Sequence, residues 1–445
     1  MTKVITYGTF DLFHEGHYRL LQRAKQLGDH LIVGVTTEEY DQTRGKLNVV
    51  DSLLTRIENV RQTGFADEIV IESSVGQKIR DIQKYQVDIF AIGSDWTGQF
   101  DYLKDYCQVV YLERTKNVSS TMLRAQKQNI LRIGIVGSGR IANRFVPEVK
   151  LVSGTNVQGV YNPHEESAKR FAAKWEIEAY LDAEAFFEAV DAVYIASPHG
   201  THYEYIKTAL EHGKHVLCEK PMVLLASQAE ELFAIAKDRQ LVLLEGIKTA
   251  YCPGFSQLMS VACSGVIGTV RNVEACFTKL VPPESRELAD MQYGGSFTEL
   301  GSYVMLPIIK LFGNQATQIR FDYVLDDKGL DLFTRASILY PSGMGTATCG
   351  LGVKSDGRLV ISGTEGYIVA EAPWWKTTYF EIRHEDPNQV EKYTGRFLGD
   401  GLRYEISDFL SQINGNSQSA FKLTRENSTA LANVMEQFLN DRTVK

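Results

Sequence analysis

The feature that most constrains this chain is an apolar run that begins at Leu131 and ends in a glycine turn, well inside its 445 residues. The run LRIGIV is typical of a buried parallel strand, and the GSGRIA that follows has the spacing of a turn that approaches a pyrophosphate. Gly137 and Gly139 allow the turn, and Ala142 takes the place of a third glycine. The alternative is an ordinary strand-to-helix turn. The pattern predicts that a dinucleotide-binding domain begins near residue 130, behind an earlier domain.

The composition limits what such a chain can do. An apolar share of 44% supports sizeable cores in a multidomain globular protein. The net charge of −8 argues against nucleic acid as a partner. The six cysteines lack CxxC spacing, so we expect neither a zinc site nor a disulfide framework. A basic-then-apolar leader and a membrane-spanning run are both missing from the sequence, which predicts a cytoplasmic protein with no membrane partner.

The first 125 residues alternate apolar strand patterns with helical spacing. Predicted strands fall at residues 4–7, 31–35, 68–71, 88–92 and 108–112, with helical patterns between most of them. This order predicts a parallel sheet with helices on both faces. Such sheets bind ligands at the carboxyl ends of their strands, so the loop after the first strand is the place to look for chemistry.

That loop reads GTFDLFHEGH over residues 8–17 and carries His14 and His17 where a helix begins. The two imidazoles could be metal ligands, although no third ligand is suitably spaced, or they could be packed structural groups. Their position beside a Gly-Thr turn at a strand end favours phosphate binding, because donors and the positive end of a helix dipole meet there.

The same region resembles the glycerol-3-phosphate cytidylyltransferases of the HxGH nucleotidyltransferase superfamily. Besides GTFDLFHEGH, the resemblance covers LLQRAKQLGD at 20–29, GSDWTGQFDYL at 93–103 and VVYLERTKNVSST at 109–121. It implies a domain that binds CTP, as its Mg²⁺ complex, and a polyol phosphate that attacks the α-phosphorus and expels pyrophosphate.

The resemblance also implies roles for individual residues. His14, His17 and Arg114 would be catalytic, donating to phosphate oxygens as negative charge develops. Asp11 would orient a histidine or Mg²⁺, or alternatively cap a turn. The acceptor would be bound by Arg44, where lysine is usual, and by Lys78. The implied CTP-binding residues are Thr9, Phe10, Asp11, Lys46, Asp95, Thr115, Ser119, Ser120 and Thr121.

Beyond the glycine turn, the second predicted strand at 157–161 is followed by Asn162, where a ribose-binding carboxylate would be expected. NAD and NADP therefore both stay open, with a slight preference for NADPH. Further strands at 192–196 and 215–218 lead into the loops SPHGTH at 197–202 and Glu219-Lys220-Pro221.

These markers resemble the Gfo/Idh/MocA oxidoreductases, over about residues 130 to 440. The GGSFTELGSY segment at 294–303, Glu405 and the Arg425-Glu426-Asn427 run extend the resemblance. It implies that Tyr303 donates a proton during ketone reduction and that Lys220 lowers the pKa of this phenol, with Glu299 standing where aspartate is usual. The implied NAD(P)-binding residues are Gly137, Gly139, Arg140, Ile141, Ala142, Asn162, Ser197, Pro198, His202, Glu219 and Lys220.

Alternating runs after residue 251 predict an open antiparallel sheet that shapes a substrate pocket and an oligomer interface. The predicted fold class is α/β, with an HxGH nucleotidyltransferase domain at 1–128, a Rossmann domain at 129–250 and an α+β open-sheet domain at 251–445. The closing helices pack either in the last domain or back on the Rossmann domain. We expect a bifunctional, homodimeric or larger enzyme that reduces a keto-sugar or keto-sugar phosphate and makes a CDP-polyol. The alternatives are a regulatory second half, or a glycerol-3-phosphate cytidylyltransferase fused to an unrelated reductase.

Overall fold

A computed structural model describes residues 1–37, 40–41, 49, 51–74, 76–113, 130–415 and 422–444 of the chain. It divides into two compact units, Met1–Ile130 with Lys150–Thr155, and Leu131–Val149 with Asn156–Lys445. The division into three domains at residues 128 and 250 stays a prediction. None of the helices in these ranges has the length and apolar character needed to cross a bilayer.

The first unit is the parallel α/β sheet that its apolar pattern predicts. Its strands pair in parallel in the order β3-β2-β1-β4-β5. The strands are β1 (Lys3–Gly8), β2 (His30–Thr36), β3 (Glu68–Glu72), β4 (Ile89–Gly93) and β5 (Gln108–Leu112), and the helices are α1 (Glu15–Lys25), α2 (Leu53–Gln62) and α3 (Gln77–Tyr85).

Both faces of this sheet are buried because neighbouring residues of each strand point to opposite sides. On β1, Val4 packs in a cluster with Leu21 of α1 and Val60 of α2. The next residue, Ile5, packs in a second cluster with Ile82 of α3. The continuous apolar runs of the strands follow from this two-sided burial.

The second unit begins with a six-stranded sheet in the order β11-β10-β9-β6-β7-β8. Its strands are β6 (Leu131–Val136), β7 (Thr155–Tyr161), β8 (Glu178–Tyr180), β9 (Ala192–Ile195), β10 (His215–Glu219) and β11 (Leu243–Gly246). Its helices are α4 (Arg140–Val149), α5 (Glu165–Trp175), α6 (Ala183–Ala189), α7 (His202–Glu211) and α8 (Ala226–Asp238). This sheet confirms the predicted dinucleotide-binding architecture.

An eight-stranded sheet follows, in the order β13-β14-β15-β12-β16-β17-β18-β19. The strands are β12 (Val270–Thr278), β13 (Gln318–Leu325), β14 (Asp331–Tyr340), β15 (Gly343–Gly350), β16 (Leu359–Gly363), β17 (Tyr367–Ala370), β18 (Tyr379–Arg383) and β19 (Val390–Thr394). The prediction of a purely antiparallel sheet is wrong, because β12 and β15 pair in parallel. Alternation of apolar residues reports which face a side chain takes but not the direction of the neighbouring strand.

The remaining helices of the second unit link its two sheets. The long helix α12 packs on β12 and β15, α13 packs on α4, and α14 packs on α8. The closing helices thus contact the Rossmann part of the unit. These helices are α9 (Lys248–Tyr251), α10 (Pro253–Cys263), α11 (Arg286–Ala289), α12 (Ser296–Phe312), α13 (Leu402–Ile413) and α14 (Arg425–Val444).

Candidate active sites

The first candidate site lies where β1 and β4 end. From β1 the chain continues to β2 on one side, while β4 lies on the other side of β1. Open parallel sheets bind ligands in the crevice at such a reversal, outside the carboxyl ends of the strands. Gly8 ends β1 and Gly93 ends β4, so the loop 9–14 and the 3-10 turn Ser94–Trp96 border this crevice.

Two imidazole rings are presented at the start of α1. His14 is the N-cap of this helix, and its Nδ1 accepts a hydrogen bond from the backbone N–H of Gly16 at 3.0 Å. The ring of His17 stacks on the ring of His14 with centroids 3.8 Å apart. Because Nδ1 of His14 accepts, the proton of the neutral ring is on Nε2, from which it can be donated to an anion. The helix dipole adds to this preference for negative charge.

The backbone before the histidines has an unusual conformation. Phe10 and Leu12 have φ angles of 53° and 46°, in the left-handed region that glycine favours. A Cβ on Gly8 would lie 2.9 Å from the ring of Phe10, so the strand has to end in glycine. Asp51 accepts from the N–H of Leu12 at 2.9 Å, and its own N–H donates to Asp11 at 2.9 Å. Asp11 and Asp51 therefore tie this loop to the beginning of the segment that leads into α2.

Arg56 is the centre of the contacts that hold this loop, and sequence reasoning missed it. The side chain is fully buried, and its guanidinium donates to the carbonyl oxygens of Thr9 at 2.9 Å and Thr36 at 2.7 Å. It also donates to the carbonyl of Asp51 at 3.0 Å. Asp41 lies 3.5 Å from the guanidinium and accepts from the hydroxyl of Thr9 at 2.9 Å. Both the backbone and the side chain of Thr9 are thus tied to one buried ion pair.

A signal for Arg56 was present in the sequence. Leu53, Ile57 and Val60 recur at helical spacing, and Arg56 falls on the same face of α2. A charged side chain on an apolar helix face has to find buried partners, because an unpaired buried charge is costly. The partners themselves lie in loops far away in sequence and could not be identified.

Lys78, the predicted acceptor ligand, is buried with 6% of its surface exposed. Its ammonium forms an ion pair with Glu72 at the end of β3 and lies 4.4 Å from the centroid of the Tyr7 ring. The hydroxyl of Tyr7 donates to Asp81 at 2.8 Å, and burial together with this carboxylate raises the pKa of Tyr7. The structure thus places Lys78 in a buried polar network at the same sheet edge as the histidine loop.

The remaining predicted residues of this site have side chains outside the described part of the chain. Asp95 is in the 3-10 turn that follows β4, and its side chain is not described. The following predicted residues lie outside the described ranges: Arg44, Lys46, Arg114, Thr115, Ser119, Ser120 and Thr121.

The second candidate site starts at the glycine turn after β6. Gly137 has a φ of 95°, and a Cβ there would lie 2.7 Å from the carbonyl oxygen of Ala196. The N–H of Gly137 donates to the carbonyl of Tyr161 at 2.9 Å. A Cβ on Gly139 would meet no atom within 4 Å, so this side of the turn is open at the beginning of α4. The open helix N-terminus fits the pyrophosphate of a dinucleotide.

Other predicted cofactor residues surround this turn. The side-chain amide of Asn162 donates to the hydroxyl of Ser138 at 2.9 Å, so Asn162 lies beside the glycine turn. It offers an amide where a ribose-binding carboxylate would be expected. Arg140 forms an ion pair with Glu287 of α11. Ile141 and Ala142 follow in the first turn of α4, and Ala142 is fully buried.

His202 joins two of the predicted loops. Its Nδ1 lies 2.9 Å from the carbonyl oxygen of Pro221 and its Nε2 lies 2.9 Å from that of Ser197. Burial lowers the pKa of His202, so at neutral pH the ring is neutral and donates to one carbonyl at a time. These contacts hold the Ser197-Pro198 loop against the Lys220-Pro221 turn.

Lys220 and Glu299 meet although 78 residues separate them in the sequence. The ammonium donates to the backbone carbonyl of Glu299 at 2.8 Å and lies 3.6 Å from its carboxylate. The other carboxylate oxygen accepts from Arg286 at 2.7 Å and lies 3.7 Å from Nε2 of His199. Glu299 is therefore the anionic centre of a cationic cluster.

Tyr303 lies one helical turn after Glu299 on α12, and the centroid of its ring is 5.7 Å from the ammonium of Lys220. Its pKa is raised well above the ordinary value, first by burial and then by the negative charges of Glu219 and Glu405. The expectation of a lowered pKa for Tyr303 is therefore wrong, because burial and the nearby carboxylates raise it. The phenol is protonated at neutral pH, as a proton donor has to be.

Two buried carboxyl groups, those of Glu219 and Glu405, interact with Tyr303. Glu219 accepts from the hydroxyl of Tyr194 at 2.6 Å, and burial raises its pKa. Glu405 of α13 is fully buried, and its Oε1 lies 3.6 Å from the position of a Cβ on Gly246. Burial and the charge of Glu219 raise its pKa well above the ordinary value. Both groups thus favour the protonated form more than an exposed carboxyl does.

Family models match both units. The model described as cytidylyltransferase-like matches residues 5–126, and the Gfo/Idh/MocA model, described as an oxidoreductase family with an NAD-binding Rossmann fold, matches residues 131–247. The chain is 49% identical over 124 residues to a glycerol-3-phosphate cytidylyltransferase of Bacillus spizizenii, covering 95% of that protein and 28% of this one. It is 30% identical over 327 residues to a trans-1,2-dihydrobenzene-1,2-diol dehydrogenase of Sus scrofa, covering 95% of that protein and 69% of this one.

The chain is a cytidylyltransferase joined to a Gfo/Idh/MocA oxidoreductase. It is thus an enzyme that combines both classes of activity, with CTP as the nucleotide of its first unit and NAD(P) as the cofactor of its second. The fold of the oxidoreductase unit is similar to that of a 3-ketoreductase from Actinomadura kijaniata in complex with NADP and TDP-benzene, with a TM-score of 0.60 and 24% identity over 69% of this chain and 96% of that one.

Proposed function

We propose that this enzyme makes a CDP-polyol in two consecutive steps. The oxidoreductase unit reduces a keto-sugar or keto-sugar phosphate to the polyol, and the cytidylyltransferase unit joins the polyol phosphate to CMP with release of pyrophosphate. The observation that carries the proposal is that one chain holds the stacked His14 and His17 at a helix start and Lys220 beside Tyr303. A reductase of ketones yields hydroxyl compounds, and a phosphorylated polyol is what the name of the cytidylyltransferase relative specifies.

In the proposed reduction, the glycine turn at Gly137 and Gly139 would hold NAD(P)H, which would supply the hydride for the carbonyl carbon. Tyr303 gives its phenolic proton to the carbonyl oxygen, and the raised pKa of Tyr303 keeps that proton in place until the oxygen becomes basic. Lys220 holds the substrate oxygen, while Glu299 fixes the direction of its ammonium. The predicted cofactor residues of the second unit serve to bind the dinucleotide.

In the proposed cytidylyl transfer, a phosphate oxygen of the acceptor attacks the α-phosphorus of CTP, and the bond to pyrophosphate breaks. His14 and His17 donate to the phosphate oxygens on which charge builds up. We assign Arg114 and the hydroxyls that follow it to the outer phosphates, and Arg44 with Lys78 to the acceptor. In the described part of the chain no three His, Cys, Asp or Glu side chains form a metal-binding group. We propose that Mg²⁺ arrives on the phosphates of CTP.

The test is a coupled assay of the purified full-length protein. Keto-pentose and triose phosphates are offered with NADPH or NADH, CTP is then added, and CDP-polyols are detected by mass spectrometry. Formation of a CDP-polyol that needs both nucleotides supports the proposal. Such a product would be of the CDP-glycerol or CDP-ribitol type, a precursor of teichoic acid or another cell-surface polysaccharide.

The second candidate is a glycerol-3-phosphate cytidylyltransferase whose second half regulates it or serves another pathway step. The 49% identity to a glycerol-3-phosphate cytidylyltransferase favours glycerol 3-phosphate as the acceptor. The apposed Lys220 and Tyr303 argue against a second half that is only regulatory. Formation of CDP-glycerol without any ketone reduction would support this second candidate.

We further propose a homodimer or larger homo-oligomer built on the eight-stranded sheet. On β14 and β15, Leu339 and Met344 lie opposite each other and are 45% and 54% exposed. Such apolar side chains on an outer sheet face suit an interface between copies. Light scattering of the protein after size exclusion measures the state directly, and Leu339→Arg should shift it toward the monomer.

A further inference from the structure

Two lysines leave neighbouring strand ends at the reductase site. β10 and β11 pair in parallel, with Glu219 opposite Gly246. Lys220 follows Glu219 directly, and Lys248 begins α9 just beyond Gly246. Parallel strands end at the same edge of a sheet, so both lysines leave on the side where ligands bind. The proposed reduction uses only the first of them.

Lys248 is a half-buried cation that lacks a close counter-ion. No carboxylate oxygen in the described ranges lies within 4.0 Å of its ammonium. Its neighbours differ in this respect, since Lys220 has the carboxylate of Glu299 at 3.6 Å and Arg286 has it at 2.7 Å. An ammonium that forms no close ion pair at the ligand-binding end of a parallel sheet is able to bind an anion.

A series of contacts leads from Thr249, the residue after Lys248, to the proposed proton donor Tyr303. The hydroxyl of the next residue, Thr249, donates to the carbonyl of Trp375 at 2.7 Å. The Trp375 ring stacks on Phe277 with centroids 3.6 Å apart, and Phe277 meets Tyr303 edge-on at 5.4 Å. The residue after Lys248 is therefore joined, through Trp375 and Phe277, to the ring of Tyr303.

The ionisable groups that interact with Lys248 also interact with Tyr303. Burial raises the pKa of Glu219, Glu405 and Cys252, and the charge of Lys248 opposes the rise in all three. Burial also raises the pKa of Tyr303, and negative charge on the same three groups raises it further. Lys248 and Tyr303 thus share ionisable neighbours, in agreement with the position of Lys248 at the strand end beside Lys220.

The phosphates of the dinucleotide are a poor match for this cation, because the glycine turn follows β6, which lies three strands from β11 in the sheet. Asn162, which marks the ribose position, follows β7, and β7 lies four strands from β11 in the sheet. At the usual strand spacing this separation is roughly 19 Å. Lys248 is therefore far from the adenosine end of the cofactor, and a substrate anion is the better candidate.

The chemistry of the two units identifies the anion. Cytidylyl transfer needs an acceptor phosphate, whereas ketone reduction adds a hydride and a proton and adds no phosphate. If the two steps are consecutive, as proposed above, the phosphate is already on the ketone when it is reduced. We propose that Lys248 binds the phosphate of the reductase substrate and that this substrate is a phosphorylated ketone, an inference that rests on the proposed function.

The experiment compares the full-length wild type with Lys248→Met on matched ketones, dihydroxyacetone phosphate against dihydroxyacetone and ribulose 5-phosphate against ribulose. We expect the wild type to prefer the phosphorylated member of a pair. Lys248→Met should raise the KM for that member about ten- to hundred-fold and change the KM for the other less than about two-fold. Inorganic phosphate should inhibit the wild type competitively against the phosphorylated ketone, and this inhibition should disappear in the variant.

Three controls separate this role from others. Lys248→Arg should keep the preference for the phosphorylated ketone. Glu405→Gln combined with Lys248→Met should still show the raised KM, whereas recovery in the double variant would make Lys248 a counter-ion of Glu405 and overturn the proposal. A raised KM for NADPH but not for NADH would assign Lys248 to the cofactor and overturn it as well.

The outcomes also separate the two levels of inference. If the wild type reduces ketones without any preference for phosphate, the role of Lys248 is wrong while the proposed function stands. If the wild type reduces no ketone with either cofactor, the proposed function fails and the role of Lys248 fails with it.

Discussion

The two sites of this enzyme stand at the same place in similar sheets but are assembled differently. Both lie at the carboxyl ends of parallel strands. The cytidylyltransferase site takes both of its histidines from one ten-residue loop, 8–17, whose spacing is set by a single helix start. The oxidoreductase site joins Lys220 after β10 to Glu299 and Tyr303 on α12, which only tertiary packing brings together. A local motif is readable from the sequence, whereas a dispersed site depends on the contacts that support it.

The buried charges of the two units differ in the same way. In the cytidylyltransferase unit, Arg56 is a buried cation that holds the backbone of the loop through Thr9 and Thr36. In the oxidoreductase unit, the carboxyl groups of Glu219 and Glu405 are buried near the proposed proton donor, and burial raises the pKa of both. The first arrangement holds the loop that we propose binds phosphate, and the second keeps protons close to the proposed proton donor.

The largest effect is expected for Tyr303→Phe. Removing the phenolic hydroxyl while keeping the ring should lower the rate of ketone reduction about 1,000-fold, because general acids contribute about 100- to 10,000-fold. Nicotinamide fluorescence titration should still show cofactor binding, since the glycine turn is untouched, and cytidylyl transfer should be unchanged. A near-normal rate of reduction would assign proton delivery to another group, with Glu299 the next candidate.

His17→Ala tests the local site in the same way. Loss of one preorganised donor should cost roughly 3–4 kcal/mol, or several hundred-fold in the rate of pyrophosphate release. Reduction by the second unit serves as the internal control and should stay intact. A cytidylyl transfer rate within a few-fold of wild type would remove His17 from the mechanism and break the comparison.

Glu245→Gln tests the buried carboxyls through pH. Burial raises the pKa of Glu245 to about 7, so the folded unit holds this proton more tightly than the unfolded chain, where the ordinary value is 4.5. The free energy of unfolding should therefore fall by about 3 kcal/mol as the pH rises from 4.5 to 7. Glutamine can still accept from the N–H of Met222, now bonded to Glu245 at 3.1 Å, and should remove this pH dependence.

Denaturant unfolding at several pH values measures the effect. Arg132→Gln provides a comparison of opposite sign. The hydrogen bonds and charge of Arg132 lower the pKa of its partner Asp191, whereas burial raises the pKa of Glu245. Parallel pH profiles for wild type and Glu245→Gln would show that Glu245 keeps an ordinary pKa.

Arg44→Lys is expected to have the smallest effect. If the planar fork of Arg44 reads the acceptor phosphate, lysine should raise the KM for the polyol phosphate several-fold, or about 1 kcal/mol, and leave the KM for CTP unchanged. Equal changes in both constants would place Arg44 on the nucleotide or in the fold. Arg44 lies outside the described residues, so this measurement sharpens the comparison where the structure does not reach.

Periodicity and short motifs predicted the five strands of the first sheet and four of the six strands of the second, while β8 and β11 were missed. Buried parallel strands are continuous apolar runs, and Gly8 and Gly137 sit where a side chain would clash, so the sequence records both features locally. The residue-level assignments at His14, His17, Lys220 and Tyr303 came from motifs of a few residues each and stay predictions until they are tested.

What only the tertiary structure decided was which distant groups meet and what their charges do. The parallel pairing of β12 with β15, the contacts of Arg56, the cluster around Glu299 and the position of Lys248 all join residues far apart in the chain. The pKa of Tyr303 is a clear case, since Lys220 suggested a lowered value and burial among Glu219 and Glu405 raises it. A pKa depends on the surrounding dielectric and on every nearby charge, and neither is written in the order of the residues.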